Sequence, residues 1–392
     1  MSSRSNGGDY DAIVVGLGGI GSAALYRLAR SGARVLGLEQ FELGHDRGAS
    51  QDESRIIRLS YHRPEYVELA KRAYVSWREL EAEADARVIT ITGGLDLAPP
   101  GAAESIEDYA ASMSVAGVPF EWLDAAELAR RWPQWQLHSD TRGLYQPDAG
   151  IADPSVGNAA HQQLALAHGA DVRERARVTE LRDHRGELEV RTADGRTFAA
   201  GSVVLATDAW TNDLLAPLGR PLPLRVTLEQ VSWFEARDPG AFASGRFPIW
   251  IWLDLPSFYG FPAHRQRGPK VGEDLGGRET TADTRTFDPD PAVAARLRRF
   301  LDQHLPRAFV HLQGAKTCLY TTTPDRDFIV DRLPEAPNVV VALGAAHAYK
   351  FAALMGILLA ELALDGQCRP PPAELDLFAI DRPALDPVDA HA

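Results

Sequence analysis

The sequence predicts an α/β chain that combines a parallel, nucleotide-type unit with a separate β-rich unit, and three observations carry that prediction. The stretch "DAIVVGLGGIGSAALYRLARSGARVLGLEQ", Asp11 to Gln40, reads as buried strand, glycine-rich turn, helix and second strand. Strand and helix blocks return at "GNAAHQQLALAHGADVRERARVTELR" and "ELEVRTADGRTFAAGSVVLATDAW", and again in "DFIVDRLPEAPNVVVALGAAHAYKFAALMGILLAELALDG". Between Leu222 and Lys270, β-branched and aromatic residues alternate ("PLRVTLEQVSWFEA", "FPIWIWLDL", "SFYGFP"), with little helical period until "PAVAARLRRFLDQHLP".

Gly16, Gly18 and Gly21 form GxGxxG between the run Ala12 to Val15 and a helix expected over Ile20 to Ser31. A tight turn, close approach of backbone to a pyrophosphate and close packing of helix on strand all favour residues without a Cβ. The helix N-terminus then faces the negative charge. Glu39 stands at the end of the second strand, 23 positions after Gly16, where a carboxylate can bond ribose hydroxyls. An acid there disfavours NADP, but the fingerprint serves NAD and FAD alike. Further on, "EYVELAKRAYVSWRELEAEA" has apolar residues at helical spacing, and an Ala-Asp-Gly-Arg turn joins two alternating runs. "GSVVLATDAW", Gly201 to Trp210, is a strand ending in small residues, of the form that returns to a nucleotide.

A chain of 392 residues, 45% of them hydrophobic, favours two domains over one. The net charge of −13 repels phosphate backbones and anionic membrane surfaces, so neither nucleic acid nor membrane is an expected partner. No apolar run reaches the roughly 18 residues of a membrane span, and "MSSRSNGGDY" has no apolar core, so a soluble, cytoplasmic protein is expected. Cys318 and Cys368 cannot build a disulfide framework, and neither has metal-ligand spacing, so no metal is expected. The Ser/Gly-rich N-terminal tail and "DPVDAHA" are expected to fray.

The segments "GASQDESRIIRLSYHRPEYVELAKRAYVSWREL", "KTCLYTTTPDRDFIVDRLP" and "GAAHAYKFA" together resemble the monomeric sarcosine oxidase family of covalent flavoproteins, which includes N-methyltryptophan and pipecolate oxidases. The likeness runs from Tyr10 to the "DRPAL" near the C-terminus. It implies FAD as cofactor, a Rossmann-like FAD-binding domain of glutathione-reductase type, and a substrate domain built on a large antiparallel sheet. The expected division is residues 10–90, 147–221 and 315–392 for FAD binding, and 91–146 and 222–314 for the substrate domain.

Cys318, in Cys-x-Tyr-Thr-x-Thr-Pro-Asp, matches the family cysteine that carries FAD through a thioether. As a residue it is either a small buried hydrophobe or a thiol whose thiolate cationic neighbours favour. Cys368, in "DGQCRPPP", is assigned nothing. Arg58 in "SRIIR" matches the arginine that holds the substrate carboxylate, and Lys350 in "HAYKF" its lysine partner. A five-donor guanidinium and an ammonium suit a carboxylate, although Arg58 could equally serve an ion pair. Lys350 interrupts an apolar stretch, where a lysine should be paired or functional. Arg55 is expected to face the flavin or its pyrophosphate, and Val178 and Gly344 to line the cofactor site. Lys270, downstream of "YGFP", matches the lysine whose charge assists electron transfer to O2. Tyr259 matches an active-site tyrosine and His347 a histidine at the flavin edge; a core aromatic and a core imidazole are the alternatives.

Two departures stand out. Ser50 and Gln51 replace two histidines of sarcosine oxidase proper, and Asp274 replaces a histidine four residues after the lysine. The resemblance implies oxidation by O2 of sarcosine or a related N-methyl amino acid to an imine and H2O2, the imine hydrolysing to an aldehyde and a primary amino acid. A cyclic imino acid such as pipecolate or proline, or a biosynthetic amine, is the other substrate reading. The implied partners are a small amino acid and O2, and the protein is expected to be a monomer.

Overall fold

The computed structural model describes residues 9–184, 187–265, 268–306, 308–368 and 373–386, so the tails before Asp9 and after Asp386 lie outside the described residues. Strand Tyr10–Val15 sits inside an eight-stranded sheet, parallel to Val35–Leu38 on one side and to Thr197–Leu205 on the other. Ile13 and Val14 are fully buried, as a strand covered on both faces must be. Thr197–Leu205 closes the meander that the Ala-Asp-Gly-Arg turn predicts, after Val178–His184 and Glu187–Thr192. Its C-terminal half turns to parallel pairing with Ala336–Leu343. The chain therefore enters this sheet three times.

Helix Gly19–Arg30 starts one residue before its expected position and carries Arg27 and Arg30 in its last turn, where basic side chains meet the carbonyl end. The apolar helix Ala352–Asp365 lies across it. At the crossing, a Cβ on Gly356 would stand 2.6 Å from the Ala23 carbonyl oxygen. Helix Pro64–Ala84 packs on the same core and buries Trp77 completely.

The second sheet has nine strands, among them Arg225–Phe234, Ile249–Trp252, Phe258–Phe261 and Lys270–Glu273 from the alternating middle of the chain. Trp250, Trp252, Phe258 and Phe300 fill its core, the last from helix Pro291–His304. The sheet is antiparallel, as expected, apart from one pair: Gly94–Ala98 joins Ile249–Trp252 in parallel after a long connection instead of a hairpin. The boundary expected at residue 315 falls inside strand Leu312–Thr322, which pairs along its length with Arg225–Phe234. A continuous ladder cannot be divided between units, so Cys318 belongs to the second sheet. A third, three-stranded sheet of Arg55–Ile57, Gly150–Ala152 and Ile89–Ile91 fixes the backbone beside Arg55 and Arg58. Among the described residues no helix is long and apolar enough to cross a membrane, and no group of three His, Cys, Asp or Glu side chains suits a metal ion.

Candidate active site

A cavity of 910 Å³, large for a small-molecule site, is lined by the glycine turn, Glu39, Arg55, Arg58, Cys318 and Lys350 together. Gly16 has φ 86°, and a Cβ on Gly21 would stand 1.8 Å from the Gly16 carbonyl oxygen, so both positions require glycine. Gly18 precedes the helix with no side-chain cap, which leaves the first N–H groups for a ligand. The Glu39 carboxylate accepts from the N–H of Leu17 at 2.8 Å and of Phe41 at 3.0 Å, and lies 3.4 Å from His45 Nε2. Burial raises its pKa, but these hydrogen bonds outweigh burial and keep it lowered. Val178 and Gly344 line the same cavity.

Around Cys318 the side chains are buried and mostly cationic. Lys270 is 2% exposed. Its ammonium donates to Asp52 at 2.9 Å and to the Ser54 carbonyl at 2.8 Å, and lies 4.3 Å from the Phe261 ring centre. Burial pulls Lys270 down to about 8, against the raising influence of Asp52. Arg55 donates to the carbonyls of Ser54 (2.9 Å) and Ala49 (2.7 Å), which braces the loop before it. Burial pushes the Cys318 thiol up to about 11, while Arg55, Lys270 and Arg285 pull the other way. Gln51 donates to the Thr317 carbonyl at 2.7 Å, beside Cys318. Tyr259 OH lies 3.3 Å from Tyr320 OH. Its ring occupies the space over its cross-strand partner Gly272, where a Cβ would stand 2.5 Å from Tyr259 Cζ.

Around Lys350 the charges are paired with one exception. Arg58 donates to Asp96 at 2.7 Å, packs 5.0 Å from the Tyr61 ring centre and leaves its buried Nε without a partner. Arg326 holds Asp274 at 3.0 Å, and Arg63 holds Asp327 at 2.9 Å. Lys350 alone among these cations has no carboxylate partner among the described residues; its Nζ lies 5.9 Å from the Tyr61 ring centre. Burial, reinforced by Arg58, pulls it down to about 7. His347 Nε2 donates to the Arg326 carbonyl at 2.8 Å, and its ring lies tilted 4.6 Å from that of Phe328. Burial lowers it to about 3, so the imidazole is neutral.

The profile of FAD dependent oxidoreductases (DAO) matches residues 11–362, nearly the whole of this architecture. The chain belongs to that family. Similar members include the monomeric sarcosine oxidase of Streptomyces avermitilis, 36% identical over 371 residues (91% of this chain, 94% of that protein). An N-methyl-L-tryptophan oxidase of Yersinia pestis is 29% identical over 381 residues, 95% of this chain and 99% of that protein. Among solved structures, NikD, an amino acid oxidase of nikkomycin biosynthesis, superposes with TM-score 0.85 at 30% identity, covering 94% of this chain and 97% of that one.

As an FAD-dependent oxidoreductase the chain has the features its cofactor needs. A glycine-rich turn leads into an uncapped helix N-terminus, an acid with a lowered pKa follows the second strand, and the cavity continues from there to Cys318. The candidate site residues named from the sequence line that cavity, except Gly21, which packs under the turn against the Gly16 carbonyl. Sequence reasoning missed the groups that set their charge state: Asp52, Asp96, Arg326, Arg285 and His45. Arg285, 9% exposed, bonds the carbonyls of Arg47 and Thr317 and so ties the loop after Glu39 to the Cys318 strand. Only the position of Asp52 inside the quoted family segment offered a sign.

Proposed function

We propose that this enzyme oxidises a secondary α-amino acid, sarcosine or a larger N-methyl amino acid, and that Lys350 and Arg58 receive its carboxylate. The observation that carries this reading is the unpartnered Lys350 ammonium in the cavity shared with Cys318 and Lys270. Arg58 is already neutralised by Asp96, so the net positive charge offered to a carboxylate is that of Lys350. When bound, the flavin accepts a hydride equivalent from the carbon next to nitrogen and returns the two electrons to O2. The protein's part is orientation and charge: carboxylate held at Lys350, amine neutral, no side chain required as a strong base. His347 is neutral and its Nε2 engaged, which suits a wall better than a base. Lys270 supplies the cation for the O2 step, and Cys318 the thioether to FAD. Tyr259 borders the site between them. A cytoplasmic location, supported by two buried free thiols in place of a disulfide framework, and a monomeric state are part of the same proposal. One observation favours a cyclic or biosynthetic amine instead: the likeness to NikD at 30% identity.

The test is the visible spectrum of the purified holoenzyme, held without oxygen while sarcosine, larger N-methyl amino acids and L-pipecolate are added in turn. Bleaching by an N-methyl amino acid, reversed in air, is expected. Bleaching by L-pipecolate alone selects the second reading, and a protein that no amine bleaches ends both. The carboxylate site has its own test. Acetate carries no amine to titrate, so its dissociation constant, read from the flavin spectrum, reports the charge on Lys350. The charged form exists below the pKa, so binding should weaken about tenfold per pH unit above about 7. Lys350→Met should abolish that dependence.

A further inference from the structure

We propose that Asp52 is the positioning residue that keeps Lys270 protonated and fixed where O2 is reduced, an inference that rests on the oxygen role proposed above for Lys270. Two independent features single Asp52 out. Its backbone has φ 82°, in the left-handed region, which is costly for a residue with a Cβ unless its surroundings hold it there. Its carboxylate meets the Lys270 ammonium at 2.9 Å with both side chains more than nine-tenths buried. A glycine would suit the backbone better, so what the strained loop retains is the carboxylate.

The charges around Lys270 define what that carboxylate does. Arg55, 3.8 Å from Asp52, opposes a second cation, and Cys318 lies on the neighbouring ladder. Glu53 and His264 line a small void shared with Lys270 but make no ion pair with it. Asp52 is the one carboxylate bonded to the ammonium among the described residues. Two of the three N–H bonds are spent on Asp52 and the Ser54 carbonyl, leaving the third for the cavity. Conversion of O2 to H2O2 takes two electrons from the reduced cofactor and two protons. The first electron makes an anion, superoxide, which an adjacent ammonium stabilises and a neutral amine does not. Without Asp52, a buried ammonium beside Arg55 would lack its counter-ion and give up its proton. Removing the acid therefore removes the positive charge instead of unmasking it.

The experiment is stopped-flow reoxidation of the reduced holoenzyme by O2 across a pH series, for wild type, Asp52→Asn, Asp52→Gly and Asp52→Glu. Wild-type reoxidation should slow as pH rises through about 8, where Lys270 loses its proton. Asp52→Asn and Asp52→Gly should shift that decline about one pH unit lower, which is about fivefold slower reoxidation at the wild-type midpoint and approaches tenfold at higher pH. Asp52→Gly also relieves the backbone, so misfolding cannot explain a shared result, and Asp52→Glu should restore part of the shift. The visible absorption of the oxidised holoenzyme, titrated over the same range without turnover, should move its midpoint in step. An unmoved midpoint, faster reoxidation in Asp52→Asn, or equal slowing of anaerobic reduction and reoxidation each overturns the proposal. Lys270→Met separates the two readings. Wild-type reoxidation in that variant ends the oxygen role of Lys270 itself, whatever Asp52 does.

Discussion

Lys270→Met is expected to slow the reaction of the reduced enzyme with O2 by about 10²- to 10³-fold, the usual cost of losing one preorganised charge at a developing anion. Reduction by the amine under anaerobic conditions should change far less. The split follows from the placement of the cations. Lys350 and Arg58 stand with Tyr61, while Lys270 stands with Asp52, Ser54 and Phe261 in the second sheet's strand Lys270–Glu273. Methionine keeps the length of the buried stem, and Arg55 remains at 3.8 Å to partner Asp52, so the fold should persist. Separate stopped-flow measurement of the two half-reactions decides the matter. Equal loss in both halves would mean that Lys270 supports the site as a whole and not the oxygen step.

Cys318→Ser should convert flavin that stays with the polypeptide after acid precipitation into flavin that is released completely into the supernatant. A thioether between Cys318 and a flavin ring carbon would form by a two-electron oxidation with O2 as the available acceptor, and the thiolate would be the nucleophile. Cys318 lines the cavity among Arg55, Lys270 and Arg285, which favour that thiolate against the cost of burial. Cys368 is the natural control. It bonds the Leu358 carbonyl at 3.6 Å, is pushed up to about 12 by burial with Glu361 adding to the rise, and does not line the cavity. Cys368→Ser should therefore leave the flavin bound to the chain. Release from both wild type and Cys318→Ser would show that the cofactor is held without a covalent bond.

The nucleotide-binding half was legible because its requirements are local. A buried run, three glycines and Glu39 lie within 28 residues, Ala12 to Glu39, and each is needed for a reason that spacing alone expresses. Lys350 was legible as a lysine interrupting an apolar stretch, whereas Arg58 and Lys270 were singled out by the family segments that gave their register. Their partners were not legible. Asp96 is 38 residues from Arg58, and Asp52 is 218 from Lys270. A charge pair across such separations leaves no period in the sequence, and nothing in "QDES" states that its aspartate has a positive φ. The same limit misplaced the boundary at 315. Eleven residues of strand Leu312–Thr322 contain both a cavity-lining cysteine and a ladder to the second sheet, and composition does not say which governs.

Helix Ala352–Asp365 covers the helix that follows the glycine turn, and strand Ala336–Leu343 completes the sheet beside it. A ribosome delivers the cradle first and its cover about 300 residues later. A nascent chain that has emerged only through helix Gly19–Arg30 therefore presents bare the apolar face that Ala352–Asp365 later covers, and the cleft gains its full wall only once both late elements have been made.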